Sequence, residues 1–199
     1  MCAAELGRMK IGIVTPAPPD SRHGNRVTAL RWATILRNLG NQVSILQTYD
    51  GEPYDLLVAL HARKSHSSII NFRQQHSLTP IIVALTGTDL YRDIPANHTA
   101  QASLDIATRI VALQPKAIKE LRPSWRRKTR VIYQSVENKR SLNGTSSGPA
   151  KAMASKREAR QRSDGNFDVC VIGHLRAVKD PFRTAMAARL LPDSSKYPG

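Results

Sequence analysis

Chemically active side chains gather in four short segments of the chain, in which cations, hydroxyls and glycines stand close together. The segments are SRHGNR from Ser21, HARKS from His61, TGTDLYRD from Thr86 and GHLRAVKDP from Gly173. Cations neutralise anions, and glycine lets backbone N–H groups approach a phosphate closely, so all four are candidate anion sites. The spacings of a P-loop, a dinucleotide fingerprint, a zinc site and a nucleophilic serine are absent from the sequence, which argues against those classes.

The first segment lies between an apolar strand and an amphipathic helix. Lys10 to Thr15 is typical of a strand buried on both faces of a parallel sheet, Asn25 is a predicted N-cap and Gly40 a predicted helix end. Ligands bind at such junctions, where helix N-termini offer free N–H groups to anions. Each cation alone would be an ordinary surface charge, whereas the cluster predicts an anion site. Its residues are Arg22, His23, Gly24, Asn25 and Arg26.

The second and third segments also follow predicted strands. His61 and Arg63 come after DLLVAL, where they would meet a bound anion, although a lone cation at a strand end is often only solvated. The third segment follows IIVAL and combines hydroxyl, flexible backbone and opposite charges. Its candidate residues are Thr86, Gly87, Asp89 and Arg92. A simple turn capped by the aspartate explains this segment almost equally well.

The fourth segment lies between a strand and a helix near the end of the chain. Gly173 leaves space beside a ligand, while Arg176 and Lys179 are suited to neutralise a diphosphate at the helix N-terminus. These three residues are the predicted diphosphate-binding group.

Short apolar strands alternate with helical patterns from Lys10 to about Gln134. The predicted strands are Lys10 to Thr15, Gln42 to Gln47, Asp55 to His61, Ile81 to Leu85, Arg109 to Leu113 and Arg130 to Tyr133. The predicted helices after the first are Ser65 to Gln75, Ala100 to Ala107 and Pro115 to Leu121. This alternation predicts an α/β fold, a Rossmann-like, doubly wound parallel sheet with helices on both faces.

We expect one full domain and the start of a second. Residues 9–136 form the Rossmann-like domain, and residues 137–166, rich in Ser, Gly and cations, form a basic flexible linker. Residues 167–199 begin another Rossmann-like domain with the strand Phe167 to Ile172 and a helix from about Asp180. One strand and one helix cannot cover their own apolar faces, so the chain is expected to be truncated.

Composition narrows the class of partner. The net charge of +15 favours acidic partners such as nucleotides or phosphorylated small molecules. Aromatic residues make up only 5% and do not interleave with cations, which makes nucleic acid a poor expectation. Cys2 and Cys170 are too few for a disulfide framework, and no signal peptide or membrane-spanning run is present in the sequence. A cytoplasmic protein with no metal site is predicted, and its oligomeric state is left open.

In order, these segments resemble a two-domain GT-B glycosyltransferase of the large retaining family 4. GHLRAVKDP resembles the G-R-L-x-x-x-K segment that opens the family's donor domain, with His174 where the family usually has Arg. TGTDLY resembles the H-G-x-D segment, with Thr86 in place of the His. The resemblance implies catalytic roles for Thr86 and Asp89, and a donor-phosphate role for Gly173, Arg176 and Lys179.

A closer resemblance, over nearly the whole chain from Met9 to about Ser195, is to the selenosugar synthase family of selenoneine biosynthesis. Its segments are KIGIVTPAPP, SRHGNRVTALRWA, YDGEPYDLLVALHARKS, ALTGTDLYRDIP, VIYQSVE and VCVIGHLRAVKDPFRTA. It implies transfer of N-acetylglucosamine from UDP-GlcNAc to selenophosphate, without a cofactor. The selenium of selenophosphate is anionic and strongly nucleophilic, so a base is dispensable and Thr86 can replace a histidine. The five residues from Arg22 to Arg26, together with His61, Arg63, Gly87 and Arg92, would then hold the acceptor.

Two alternatives stay open. The chain could be another GT-B glycosyltransferase with a different acceptor, or a non-catalytic module that binds phosphate or nucleic acid. Since most of the donor domain is expected to be missing, we also expect the chain as given to bind UDP sugar poorly and to turn over little or nothing.

Overall fold

The computed structural model describes residues 7–135, 180 and 182–190. The chain divides into two units, Met1–Lys139 and Arg140–Gly199. The predicted linker 137–166, the predicted strand Phe167 to Ile172 and the candidate residues Gly173, Arg176 and Lys179 lie outside the described residues. They therefore stay predictions.

The first unit is built on a six-stranded sheet in which every neighbouring pair of strands is parallel. The strands are β1 (Lys10–Val14), β2 (Gln42–Leu46), β3 (Leu56–Leu60), β4 (Ile81–Leu85), β5 (Arg109–Ala112) and β6 (Thr129–Val131). The runs KIGIV, LLVAL and IIVAL are almost wholly buried, as expected of strands covered on both faces. The predicted α/β, Rossmann-like parallel sheet is confirmed at this level.

The strand order is β2-β1-β3-β4-β5-β6. The chain therefore places β2 on one side of β1 and β3 on the other, which creates a topological switch point between β1 and β3. In open α/β sheets, ligands bind in the crevice outside the carboxyl ends of the strands at such a point. The loops that begin at Thr15 and His61 leave the sheet there.

Helices cover both faces of the sheet. They are α1 (Gly24–Asn38), α2 (His66–Gln75), α3 (Ile94–Ala96), α4 (His98–Ile106) and α5 (Pro123–Arg127), with a π-helical turn (Asp89–Asp93) and a 3-10 helix (Pro115–Glu120). On one face, Ala29 and Ala33 of α1 pack against Ile13 and Leu60. The other face packs against α2, α4 and α5 and includes the largest buried side chain, Trp125.

The two ends of α1 differ in how many of their free backbone groups find hydrogen-bond partners. The helix begins at Gly24 with His23 as N-cap and no side-chain cap, so the predicted N-cap Asn25 is wrong. Asn25 already lies inside the first turn, since the chain becomes helical at the glycine before it. At the other end, the prediction for Gly40 is confirmed: its φ is +91°, and the Gly40 and Asn41 N–H groups donate to the carbonyls of Arg37 and Leu36 at 2.9 and 3.2 Å.

Two other elements differ from the predicted ones. The segment predicted as a helix from Pro115 to Leu121 is a 3-10 helix, with i→i+3 bonds such as Leu121 N–H to the Ile118 carbonyl at 3.2 Å. Pro123 keeps Arg122 extended and prevents this helix from continuing. Strand β6 is Thr129–Val131, one residue earlier than predicted and shorter.

In the second unit, the structure describes one helix, α6 (Arg183–Ala188), close to the predicted start. Asp180 and the Arg183 guanidinium form an ion pair at 2.5 Å just before it. The apolar side chains of Phe182, Met186 and Leu190, in and beside this helix, are exposed. Across the described ranges, no helix has both the length and the apolar character needed to cross a membrane.

Candidate anion site at the carboxyl edge of the sheet

His61 sits at the end of β3 in a left-handed backbone conformation, with φ of +77°, and is 2% exposed. Its N–H donates to the Ala84 carbonyl at 2.9 Å, and its own carbonyl accepts the Ser65 N–H at 3.1 Å. The Ser65 hydroxyl donates to the Leu60 carbonyl at 2.7 Å. A non-glycine residue held at positive φ is uncommon and costs free energy, which the surrounding bonds must offset. The turn that follows β3 is therefore tightly held.

Asp89 joins this turn to the loop that follows β4. Its Oδ2 accepts the Ala62 N–H at 3.0 Å, and its Oδ1 accepts the Thr86, Gly87 and Leu90 N–H groups, each at 3.0 Å. The residue is fully buried. Burial raises the pKa of the carboxyl, and the facing His61 ring and the backbone N–H groups counteract that rise. All of its contacts are to backbone donors, so the carboxylate holds the two loops together.

The His61 ring is enclosed by polar groups on both nitrogens. The Lys64 N–H lies 3.4 Å from Nδ1, while Nε2 lies 3.4 Å from the Thr88 hydroxyl and 3.7 Å from Asp93 Oδ2. A donor at Nδ1 and acceptors at Nε2 fit the neutral ring with its proton on Nε2. Burial lowers the pKa of His61 from 6.5, although Asp89 and Asp93 act to raise it. Burial and these ring contacts both favour the neutral form of the imidazole.

Asp93 ends the π-helical turn and carries two arginines. The Arg63 Nε donates to Oδ2 at 2.9 Å and the Arg92 Nε donates to Oδ1 at 3.3 Å. Asp93 is 7% exposed, whereas the side chains of Arg63 and Arg92 are 38% and 71% exposed. Burial alone would raise the pKa of Asp93, but the hydrogen bonds from Arg63 and Arg92 bring that pKa below its ordinary value. Asp93 is not among the site residues predicted from the sequence.

The cations at the start of α1 are arranged differently. Arg22, His23 and Gly24 are exposed, and Asn25 and Arg26 are partly buried. The Arg26 Nε is buried without a hydrogen-bond partner among the described residues. The first turn of α1 contains no acidic residue, and no side chain caps it. This group therefore leaves both guanidinium and backbone donors available at the carboxyl edge of β1.

A cleft of about 210 Å³ opens at the carboxyl ends of β4 and β5. Thr86, Gly87, Tyr91, Gln114 and Gln134 are among its lining residues. Gly87 has φ of +114°, which a side chain would strain, so glycine is required for this turn. The Gln134 amide donates to the Thr28 hydroxyl at 2.8 Å, which ties the end of β6 to α1.

The structure brings the predicted site residues of the loops after β3 and β4 together, whereas those at the start of α1 form a separate group. His61, Arg63 and Arg92 meet around Asp93, which was not predicted as a site residue, and Asp89 holds the neighbouring loop by accepting the Ala62 N–H. Thr86 and Gly87 join them through their backbone N–H groups. No hydrogen bond or ion pair between described residues links Arg22, His23 or Arg26 to that cluster. Arg63 lies just beyond the end of β3, whereas Asp93 ends the π-helical turn that follows β4, so the one signal in the sequence was its position at the end of the segment TGTDLYRD.

Comparison of the chain with protein-family models and with curated proteins found no match. The resemblance to GT-B glycosyltransferases and to the selenosugar synthase family therefore stays a prediction from the sequence motifs. At one edge of the parallel sheet, the site offers two guanidiniums on a buried carboxylate, a buried histidine and an uncapped helix start.

Proposed function

We propose that the protein is a GT-B glycosyltransferase that transfers N-acetylglucosamine from UDP-GlcNAc to selenophosphate. The described part of its first unit would hold the acceptor, and a second domain, opened by the segment around Gly173, Arg176 and Lys179, would hold the donor. The proposal rests on the sequence motifs and on the chemistry of the carboxyl edge. We place the enzyme in the cytoplasm.

The observation that carries the proposal is that the buried His61 and Asp89, in the loops after β3 and β4, are both already engaged by protein groups. The Asp89 carboxylate accepts four backbone N–H groups, so neither oxygen is free to take a proton from an acceptor. Both nitrogens of His61 face protein groups. A sugar hydroxyl needs a base to remove its proton, whereas an acceptor that is already anionic does not. The arrangement therefore favours an anionic nucleophile.

The charges around the site support the same class of acceptor. Arg63 and Arg92 are anchored on Asp93, and Arg22 and Arg26 lie at the uncapped start of α1. A phosphorus oxyanion needs such donors, because two anionic substrates must approach each other during transfer. A neutral sugar acceptor would gain little from four arginines at one edge.

The proposed reaction is a displacement at the anomeric carbon. A bond forms between selenium and C1, the bond between C1 and the diphosphate oxygen breaks, and UDP leaves with the electron pair. No proton has to be removed from the nucleophile. The residues of the described unit bind the phosphate part of the acceptor and orient its selenium, so their contribution is positioning and charge neutralisation.

The test compares acceptors directly. The protein, in the longest form that its gene encodes, is incubated with UDP-GlcNAc and either selenophosphate, phosphate or a panel of free sugars. Products are followed by mass spectrometry through the selenium isotope pattern and by release of UDP. We expect a selenosugar from selenophosphate and no transfer to sugars. Arg37→Ala, at the opposite end of α1 from the site, serves as a control that retains this activity.

Two results would contradict the proposal. Efficient transfer to a sugar hydroxyl, with none to selenophosphate, would indicate another GT-B glycosyltransferase. Binding of RNA that survives moderate salt, with no transfer to any acceptor, would indicate a non-catalytic binding module.

A further inference from the structure

Asp93 is a buried carboxylate that binds two arginine side chains at the carboxyl edge of the sheet. It is 7% exposed and binds the Nε groups of Arg63 and Arg92, one on each carboxylate oxygen, at 2.9 and 3.3 Å. The His61 Nε2 lies 3.7 Å from Oδ2. One buried carboxylate therefore fixes the bases of two guanidiniums that come from loops after different strands.

Each guanidinium uses only its Nε on Asp93. Within residues 7–135, 180 and 182–190, neither the Arg63 side chain nor the Arg92 side chain makes another hydrogen bond or ion pair. Their terminal nitrogens are thus available, and both side chains reach solvent at 38% and 71% exposure. A guanidinium fork matches the oxygen spacing of carboxylates and phosphates, and two forks present a set of donors to one tetrahedral oxyanion.

We propose that Asp93 is a positioning residue, which holds Arg63 and Arg92 as a two-guanidinium clamp for a tetrahedral phosphorus oxyanion. The inference rests on the proposed function only in taking the acceptor to be such an oxyanion. Asp93 does not touch the ligand; it acts through the two arginines. Because a free arginine side chain has many rotamers, anchoring its Nε in advance reduces the ordering that the ligand must induce.

Charge and positioning predict opposite effects when Asp93 is neutralised. If only net charge mattered, Asp93→Asn would remove a negative charge beside the anion and strengthen binding. If Asp93 positions the clamp, the same substitution releases both guanidiniums and weakens binding despite the added positive charge. The sign of the change therefore distinguishes the two roles.

The experiment measures the Kd of inorganic phosphate and of thiophosphate for the whole chain by ³¹P NMR titration, with folding checked by circular dichroism. We expect Asp93→Asn to raise the Kd about tenfold, the loss of roughly one charged hydrogen bond. Asp20→Asn is the matched control, since it makes the same charge change in the exposed loop after β1. The control should bind phosphate as tightly as the wild type, or slightly more tightly. A folded Asp93→Asn protein that binds phosphate equally or better would overturn the proposal.

A second pair of variants keeps the test decisive if Asp93→Asn does not fold, as can happen when a buried pair is broken. Arg92 is mostly exposed, so Arg92→Gln and Arg92→Lys should both fold. Lysine keeps the charge and loses the fork that Asp93 orients. We expect Arg92→Lys to bind phosphate about as weakly as Arg92→Gln, and wild-type affinity in Arg92→Lys would refute the clamp.

A parallel titration with UDP identifies which phosphate the clamp holds. An effect of Arg92→Gln on phosphate and thiophosphate, with UDP unaffected, supports the acceptor site. An effect on UDP alone would overturn that assignment, because the clamp would then hold a nucleotide diphosphate. Phosphate binding that depends on Asp93 in a protein with no transferase activity would refute the proposed function and leave the clamp in place.

Discussion

The two cationic groups at the carboxyl edge of the sheet are built in contrasting ways. Around Asp93, the cations are held by hydrogen bonds to a buried carboxylate, and the loop beneath them is fixed by Asp89. At the start of α1, Arg22 is exposed and the helix has no side-chain cap. The first group is ordered before a ligand arrives, whereas the second would have to be ordered by the ligand itself. Similar residue types therefore contribute different binding free energies, depending on which protein groups already hold them.

The largest expected change in stability comes from removing the Asp89 carboxylate, which holds the loop next to the first group of cations. Asp89→Ala would leave four backbone N–H groups without their acceptor, so we expect the free energy of unfolding to fall by about 4 kcal/mol. Urea denaturation measures the loss, with exposed Asp20→Asn as control. A loss below about 1 kcal/mol would show that water replaces the carboxylate and that the two loops do not depend on it.

The next prediction compares how much each of the two groups of cations contributes to binding selenophosphate. Arg63→Ala should raise the KM for selenophosphate about tenfold, because it removes an anchored fork, and Arg22→Ala should raise it only about threefold. The smaller effect should fade at high salt, since exposed charges are screened. Steady-state kinetics at two salt concentrations measures both, with Arg37→Ala as control. Unchanged kinetics in Arg63→Ala and Arg26→Ala together would remove both groups from the acceptor site.

The first group should also respond to pH. Because burial lowers the pKa of His61 below 6.5, the unfolded chain binds this proton at a higher pH than the folded chain does. Stability is therefore lost as the pH falls from about 6.5, with a slope of up to about 1.4 kcal/mol per pH unit. His61→Asn, which tolerates positive φ, should flatten this slope in urea denaturation at several pH values.

Exposed His98→Asn is the control for that experiment and should keep the wild-type slope. If wild type and His61→Asn lose stability in parallel between about pH 6.5 and 5, His61 is not the group that titrates.

Asp93 contributes to stability in a lower pH range than His61. Because its pKa is lowered in the folded protein, its contribution to stability is complete above about pH 4 and is lost as the pH falls through its folded pKa.

The smallest effect concerns the uncapped start of α1. His23→Ser would supply the missing cap and stabilise the protein by about 0.5–1 kcal/mol. If an anion uses the same backbone N–H groups, the serine hydroxyl competes with it, and phosphate binding should weaken slightly. Thermal unfolding with and without phosphate measures both changes. Stabilisation with unaltered phosphate binding would show that the second group does not use the helix start.

Most of the sheet could be predicted from the sequence. Runs such as LLVAL and IIVAL are short, apolar and bounded by turn residues, which is the pattern of buried parallel strands, and the structure places them as predicted. The turn from Asp89 to Asp93 was harder to predict, because its π-helical form depends on which N–H groups donate to its carboxylates. Helix α5 is too short to show a periodic pattern.

The site was predictable in its location and not in its connections. The loops after β3 and β4 follow from the strands alone. The contact between Arg63 and Asp93 spans 30 residues, and a single sequence contains no information on which of several nearby carboxylates an arginine meets. The roles of Asp89 and Asp93 also differ only through their burial and their partners. Asp89 accepts hydrogen bonds from backbone N–H groups, and Asp93 accepts hydrogen bonds from arginine side chains.

The left-handed backbone at His61 has a consequence for how this protein can change. Glycine, asparagine and aspartate accept such a conformation at low cost, so a library randomised at position 61 and selected only for folding should be enriched in them. The same library selected for turnover should return histidine if the ring itself is needed. The ratio of the two outcomes would measure selection on the imidazole separately from selection on the backbone.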